Sequence, residues 1–240
     1  MTEPSERRNF YGRVHGKTLR ASQKDYLARD LESLRLQGVA TWENPSRASL
    51  DVTTIFATPR PVWVEVGFGG GEHLVHMAAR YPEIGLIGCE PFVNGVAMLL
   101  GKIRQAEVRN LVIHPGDARD LFDVLPAESV DKVFLNYPDP WPKARHHRRR
   151  FVTPGYLALL ARVMKPGAEF RVATDIADYV RQTLEEVPKA GFELTAQTGQ
   201  GAAWEDWIST RYEQKALREG REPHYLTFRR AAPPEALTGR

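Results

Sequence analysis

The sequence predicts an α/β fold built on a seven-stranded, mostly parallel sheet with helices on both faces. From Pro61 onward, short apolar runs alternate with stretches of helical periodicity, the pattern of parallel strands joined by crossover helices. The first of these runs enters a glycine-rich turn and then a helical stretch. No compositional break interrupts residues 61–230, so a single domain accounts for them. With 240 residues, 42% hydrophobic and 26% charged, the chain can bury a core without disulfides or a structural metal.

Residues 1–21 have few apolar side chains and no periodicity, and are read as a basic, mobile arm preceding a domain over 22–240. A helical lead-in spans 22–36, where Ser22 is placed to cap, Asp25 stands three residues on, and Tyr26, Leu27, Leu31 and Leu34 share a face. Residues 38–60 read as irregular, broken by Pro45 and Pro59. Strands are expected at 62–66, 85–89, 111–114 and 130–135, then at 169–173 after the turn signal Lys165-Pro166-Gly167. Two more follow, at 192–196 after Gly191 and at 224–229. The last alternates Tyr225, Thr227 and Arg229 against Leu226 and Phe228, as a strand near the sheet edge does. A long link read as non-helical joins it to its predecessor, which suggests an antiparallel closing pair on a Rossmann-like core over 61–230.

The strand at 62–66 runs directly into Gly67-Phe68-Gly69-Gly70-Gly71-Glu72. Glycines there allow a sharp turn and a close ligand approach to the helix N-terminus. A dinucleotide fingerprint starting at Gly67 requires glycine where Glu72 stands, so a nicotinamide cofactor is disfavoured. The pattern that remains is an acid, Glu65, two residues before G-x-G-x-G, which resembles motif I of S-adenosylmethionine (SAM) methyltransferases. Glu90 follows the second strand, where ribose hydroxyls are held in such folds, and Asp117 follows the third, where adenine amino groups are often recognised. Either acid alone reads equally well as a solvated loop residue; acids on successive strand ends point to a nucleoside-type cofactor.

The formal charge of +3 conceals a segregation. Residues 1–24 carry +4, residues 143–150 carry +5 and residues 211–230 carry +3, so the rest of the chain carries −9. Basic segments on an acidic body imply a polyanionic partner. The lone Cys89 fits a reducing compartment, the opening residues lack an apolar signal, and no run approaches eighteen apolar residues; a cytoplasmic protein without membrane contact is expected.

The fourth strand ends in Tyr137-Pro138-Asp139-Pro140-Trp141-Pro142, a turn that three prolines make rigid. The run Lys143, Ala144, Arg145, His146, His147, Arg148, Arg149, Arg150 follows at once. A charge run is commonly a solvated face, but this one is tied to the cofactor edge and its arginines can fork to phosphates. Adjacent histidines without cysteine or carboxylate ligand spacing do not make a metal site. Asp175, after the fifth strand, can accept from a ligand's N–H donors or cap a helix over 176–187.

Glu65 with VGFGGGEHL, Glu90, Asp117, YPDPWPKARHHRRR, Ala173-Thr174-Asp175 and Ser209-Thr210-Arg211-Tyr212-Glu213 together resemble the bacterial tRNA (guanine-N7)-methyltransferase family, TrmB, over roughly residues 10–230. Tyr137, Pro138 and Pro142 vary within that family. The resemblance implies a class I SAM-dependent methyltransferase that forms 7-methylguanosine in tRNA, at position 46 of the variable loop. It further implies that Glu65, Gly67, Gly69, Glu90, Asp117 and Asp139 contact SAM and that Asp139 is catalytic. Lys143, Asp175, Thr210, Arg211, Tyr212 and Glu213 would hold the substrate, and Arg145, His146, His147, Arg148, Arg149 and Arg150 would touch RNA. No metal is implied, and monomer and homodimer stay open. Two alternatives stand beside this reading: another SAM-dependent RNA base methyltransferase, suggested by the likeness of Asp139-Pro140-Trp141 to a D-P-P-Y motif, and a non-catalytic RNA-binding Rossmann-like protein.

Overall fold

A computed structural model describes residues 11–232. Arg7 and Arg8 of the expected arm lie outside the described residues. The sheet has seven strands: β1 (Val62–Val66), β2 (Gly85–Cys89), β3 (Leu111–His114), β4 (Val130–Asn136), β5 (Met164–Thr174), β6 (Phe192–Thr198) and β7 (His224–Arg230). Their order is β3-β2-β1-β4-β5-β7-β6, with β7 antiparallel to both neighbours and the remaining pairs parallel. Chain order reverses between β1 and β4, so the loops leaving those strands diverge and open a crevice at the carboxyl edge of the sheet.

Each face of the sheet is covered. On one side α3 (Glu72–Arg80) and α4 (Val93–Ala106) bury Leu74, Met77, Leu99 and Leu100. On the other, α5 (Ala118–Val124), α6 (Pro154–Val163) and α7 (Ala177–Lys189) bury Phe122, Leu157, Leu160, Tyr179 and Val187. Because both faces are covered, β2 reads GLIGC, continuously buried rather than alternating.

Several expectations are corrected. The lead-in helix is split into α1 (Ala21–Arg29) and α2 (Leu31–Leu34). Neither Ser22 nor Asp25 caps it: Gln23 accepts from the Arg20 N–H at 3.0 Å, and Asp25 pairs with Arg29 one turn on. After α2, Leu36 N–H bonds Ile113 O at 2.8 Å, so the lead-in lies along the β3 edge. Strand β5 begins at Met164, which pairs with Val130; Pro166 and Gly167 fall at a register shift within the strand, not in a turn before it. Strand β7 does lie near the sheet edge, between β5 and the edge strand β6. Both faces of β7 are nonetheless buried there, Tyr225 against Trp204 and Trp207, and Leu226 and Phe228 in the core. The link before it contains α8 (Arg211–Arg218), whose N-cap Thr210 Oγ1 accepts from the Glu213 N–H at 3.3 Å. Asp175 caps nothing: α7 starts after Ile176, and the Asp175 carboxylate is bound by Arg221.

Part of the expected arm is tied down. Val93 N–H bonds Val14 O at 2.9 Å, Gly16 N–H donates to Asn94 Oδ1 at 2.8 Å, and Asn94 Nδ2 donates to Lys17 O at 2.7 Å. These bonds lay residues 14–17 across the start of α4.

Two helical glycines behave oppositely. A Cβ at Gly95 in α4 meets the Gly69 carbonyl oxygen at 2.3 Å, whereas a Cβ at Gly155 in α6 meets nothing within 4 Å. Gly95→Ala is expected to destabilise the fold by about 1–3 kcal/mol through overpacking, and Gly155→Ala to stabilise it by about 0.4–1 kcal/mol. Urea unfolding midpoints of the two variants should move in opposite directions.

Candidate active site

Three glycines shape the loop after β1. Gly67, Gly69 and Gly71 hold φ of 71°, 55° and 76°, the left-handed region in which a Cβ is strained. The loop is fastened to the end of β2 by Glu90, whose Oε2 accepts from the Gly69 N–H at 2.7 Å and whose Oε1 accepts from the Phe92 N–H at 2.9 Å. Burial raises the Glu90 carboxyl pKa, and these two N–H bonds oppose the shift.

In front of the loop lies a cleft of about 1110 Å³, lined by Gly67, Gly69, Glu90, Asp117 and Asp139 and roofed by Tyr11, Arg13 and Tyr212. Its walls hold one acid from each of three strand ends. Asp117 caps α5 by accepting from the Arg119 N–H at 2.9 Å and pairs with the Arg119 side chain. Asp139 is exposed within the mouth yet crowded enough that desolvation raises its carboxyl pKa, while Arg13 pulls it back. Cys89 lies on the cleft floor, where burial pushes its thiol well up and leaves it inert.

A cationic rim surrounds this acidic interior. Arg211, Lys215 and Arg218 present one face of α8 to the cleft, Arg211 lying 4.9 Å over the Tyr212 ring. The Arg149 guanidinium sits between Tyr11 and Trp141, 4.6 and 4.9 Å from their ring centres.

Some expected site residues lie elsewhere. Glu65 is 2% exposed and does not line the cleft; strand alternation presents Val66 there and turns Glu65 toward α3. Its Oε2 lies 2.9 Å from His73 Nδ1, and Asn136 Nδ2 donates to Oε1 at 3.4 Å, so the acid ties β1 to the start of α3 and the end of β4. Glu213 is buried and accepts from Trp207 Nε1 and the Tyr225 hydroxyl, and Thr210 is spent as the α8 cap; neither lines the cleft. Arg150, expected to touch RNA, borders the cleft, but it is 1% exposed and its guanidinium is engaged within the protein. Lys143, Arg145 and Arg148 are exposed on or beside a 3₁₀ turn at Ala144–Arg149. His146 packs edge-on against Trp141, and His147 Nε2 lies 3.2 Å from Asp178. Among the described residues no group of three or more His, Cys, Asp or Glu side chains could hold a metal, and no helix is long and apolar enough to cross a membrane.

Sequence reasoning missed His73, Asn136 and the cleft-facing Lys215 and Arg218. The first two sit in apolar runs that read as core. The last two are legible once α8 is recognised, for which Thr210-x-x-Glu213 was the signal.

A glycine loop at the topological switch point, with an acid on each of three strand ends, defines a class I methyltransferase domain. The family model described as "Putative methyltransferase" matches residues 59–226. A protein of Paracoccus denitrificans named tRNA (guanine-N(7)-)-methyltransferase is 76% identical over 224 residues, spanning 93% of this chain and 95% of the relative. One of the same name from Cereibacter sphaeroides is 74% identical, spanning 93% of this chain and 91% of the relative. The chain belongs to the tRNA (guanine-N(7)-)-methyltransferase family. Solved structures similar in fold include the 16S rRNA methyltransferase KamB, at TM-score 0.53 and 17% identity over 72% of this chain and 88% of that one. An antibiotic-related methyltransferase gives TM-score 0.54 and 17% identity over 81% and 98%.

His114 closes β3 just below the Asp117 loop, and desolvation lowers its pKa to about 4, with Arg47 acting the same way and Asp117 and Glu43 opposing. The unfolded chain takes up this proton near pH 6.5 while the folded protein resists it until about pH 4. This group therefore contributes stability that is full above pH 6.5 and is lost as pH falls toward 4, on the order of 2–3 kcal/mol. Urea unfolding at pH 7.5 and pH 4.5 should show a difference that shrinks by that amount in His114→Gln.

Proposed function

We propose that this chain carries out the reaction for which its family is named, methylation of N7 of a guanine in tRNA with S-adenosyl-L-methionine as cosubstrate. The observation that carries the reading is the cleft itself, an acidic interior ringed by cations and opening beside the Asp139 turn. Its volume exceeds what a nucleoside cosubstrate fills, leaving room for an incoming base. The residues fit: the open side of Gly67, with nothing within 4 Å of where a Cβ would lie, leaves backbone accessible to a ligand. Glu90 and Asp117 are the acceptors for ribose hydroxyls and an adenine amino group in this reading.

S-adenosyl-L-methionine supplies an activated methyl group on a sulfonium. Guanine N7 carries a free lone pair at neutral pH, so the protein removes no proton before attack, and catalysis consists of positioning and electrostatics. Asp139 stands where its carboxylate orients the base and favours the cationic guanine ring that develops. Asp175, half-buried at the end of β5 with Arg221 holding one oxygen, does not line the cleft; in this reading it serves guanine N1–H and N2–H₂ from beside it. Lys143, Arg145, Arg148 and Arg149, with Arg211, Lys215 and Arg218, form the track for the phosphate backbone, whose binding rises as counterions are released. Among cellular polyanions, tRNA places such a partner in the cytoplasm.

Incubation with labelled S-adenosyl-L-methionine and unmodified tRNA, followed by chemical cleavage at 7-methylguanosine, is expected to give one discrete cut; label at an exocyclic amine instead would overturn the N7 assignment. Asp139→Ala is expected to bind the cosubstrate within a few-fold of wild type by calorimetry and to lose about 10²-fold in single-turnover methylation. Near-normal turnover in that variant would remove Asp139 from the chemistry.

A further inference from the structure

We propose that Arg150 is a positioning residue for methyl transfer, acting through the backbone of the Asp139 turn, and that it makes no contact with RNA. The inference rests on the function proposed above and deepens it by dividing the basic run between two tasks.

The turn it serves is short of internal support. Pro138, Pro140 and Pro142 have no N–H to donate, so the segment has few donors with which to close its own hydrogen-bonded turns. Two residues that flank Asp139, Tyr137 and Trp141, hold φ of 48° and 39°, in the left-handed region that non-glycine residues seldom adopt. Such conformations persist only where the surroundings over-determine them.

Arg150 supplies that constraint from both ends of its guanidinium. Nε donates to Pro140 O at 2.9 Å and Nη2 to Trp141 O at 3.4 Å, the two carbonyls immediately after Asp139. On the far side Nη1 donates to Gln182 Oε1 at 2.8 Å and pairs with the Asp178 carboxylate at 2.9 Å, and the group lies 5.1 Å over the Tyr179 ring. All three partners belong to α7, which Tyr179 and Val187 anchor in the core. Gln182 adds a second tie, donating Nε2 to Val152 O at 2.9 Å. The rigidity of the core is thus carried to the turn just after Asp139, and a guanidinium buried this completely is out of reach of a phosphate. Small displacements of a reacting geometry cost rate far more than they cost binding.

Arg150→Lys keeps a charge for Asp178 but cannot fork to two carbonyls and an amide, and Arg150→Met keeps neither. Each is assayed for single-turnover rate per cosubstrate-binding site, with occupancy taken from calorimetry, and for tRNA affinity across a salt series. Both substitutions are expected to lower the rate at least 10-fold while KM for tRNA and the salt slope of tRNA binding stay at wild-type values. A purely structural role would lower the melting temperature without this split between rate and KM. Arg148→Ala, in the exposed part of the run, is expected to flatten the salt slope by about one.

If the Arg150 variants fail to fold, Gln182→Met decides: a fall in rate with unchanged tRNA affinity supports the clamp, and a wild-type rate overturns it. Arg150 variants that flatten the salt slope as Arg148→Ala does, or that turn over at the wild-type rate, overturn the proposal alone. Wild-type protein that leaves guanine N7 unmethylated overturns the functional reading and this inference with it.

Discussion

The bond from the Gly69 N–H to the Glu90 carboxylate holds the loop after β1 against the loop after β2, and the geometry of the cleft follows from it. Because the same carboxylate accepts from the Phe92 N–H, the start of α4 is drawn in as well. That helix can approach only because residue 95 is glycine, with the Gly69 carbonyl where any side chain would begin. A loop, a strand end and a helix N-terminus are therefore fixed to one another by a single side chain. Its desolvated charge, which raises its own pKa, is balanced by two backbone donors.

Charge is sorted around that junction by depth. The acids Glu90, Asp117 and Asp139 stand on the cleft wall at strand ends, while Arg13, Arg211, Lys215 and Arg218 come from the arm and from α8, elements outside the parallel core. The strand ends are fixed by the sheet and suit a small cosubstrate that requires exact placement. The peripheral elements suit a long polyanion, whose phosphates need only a matching track. This division explains why a chain of formal charge +3 can serve both partners.

The parallel core was legible because periodicity and turn residues both report on it: β1, β2 and β3 fall where their apolar runs lie. What was not legible depended on contacts between distant segments. Strand β7 looks half-solvated until Trp204 and Trp207 are seen to cover its second face. Pro166 and Gly167 look like a turn until Met164 is seen to pair with Val130. In the site, residue type identified Glu90, Asp117 and Asp139 as acids at strand ends, but type cannot say which way a side chain faces. Glu65 belongs to the same motif and faces His73 instead. The seven positions from Lys143 to Arg150 other than Ala144 read as one basic run, yet Arg150 faces α7 while Arg148 faces solvent.

That last division follows from the prolines. A turn that carries an exposed acid at the mouth of a cleft must be stiff, and three prolines in five residues make it so by removing backbone freedom. The same prolines remove N–H groups with which a turn ordinarily satisfies its carbonyls, leaving acceptors open to an outside donor. Only a side chain with several donors in a fixed plane can reach two successive carbonyls and still be neutralised and bonded on its other side; arginine meets that requirement and lysine does not. The run that follows the turn thus had to give up one cation to the interior. The first position the chain reaches after its 3₁₀ turn is the one packed against α7, and it is Arg150 that stands there.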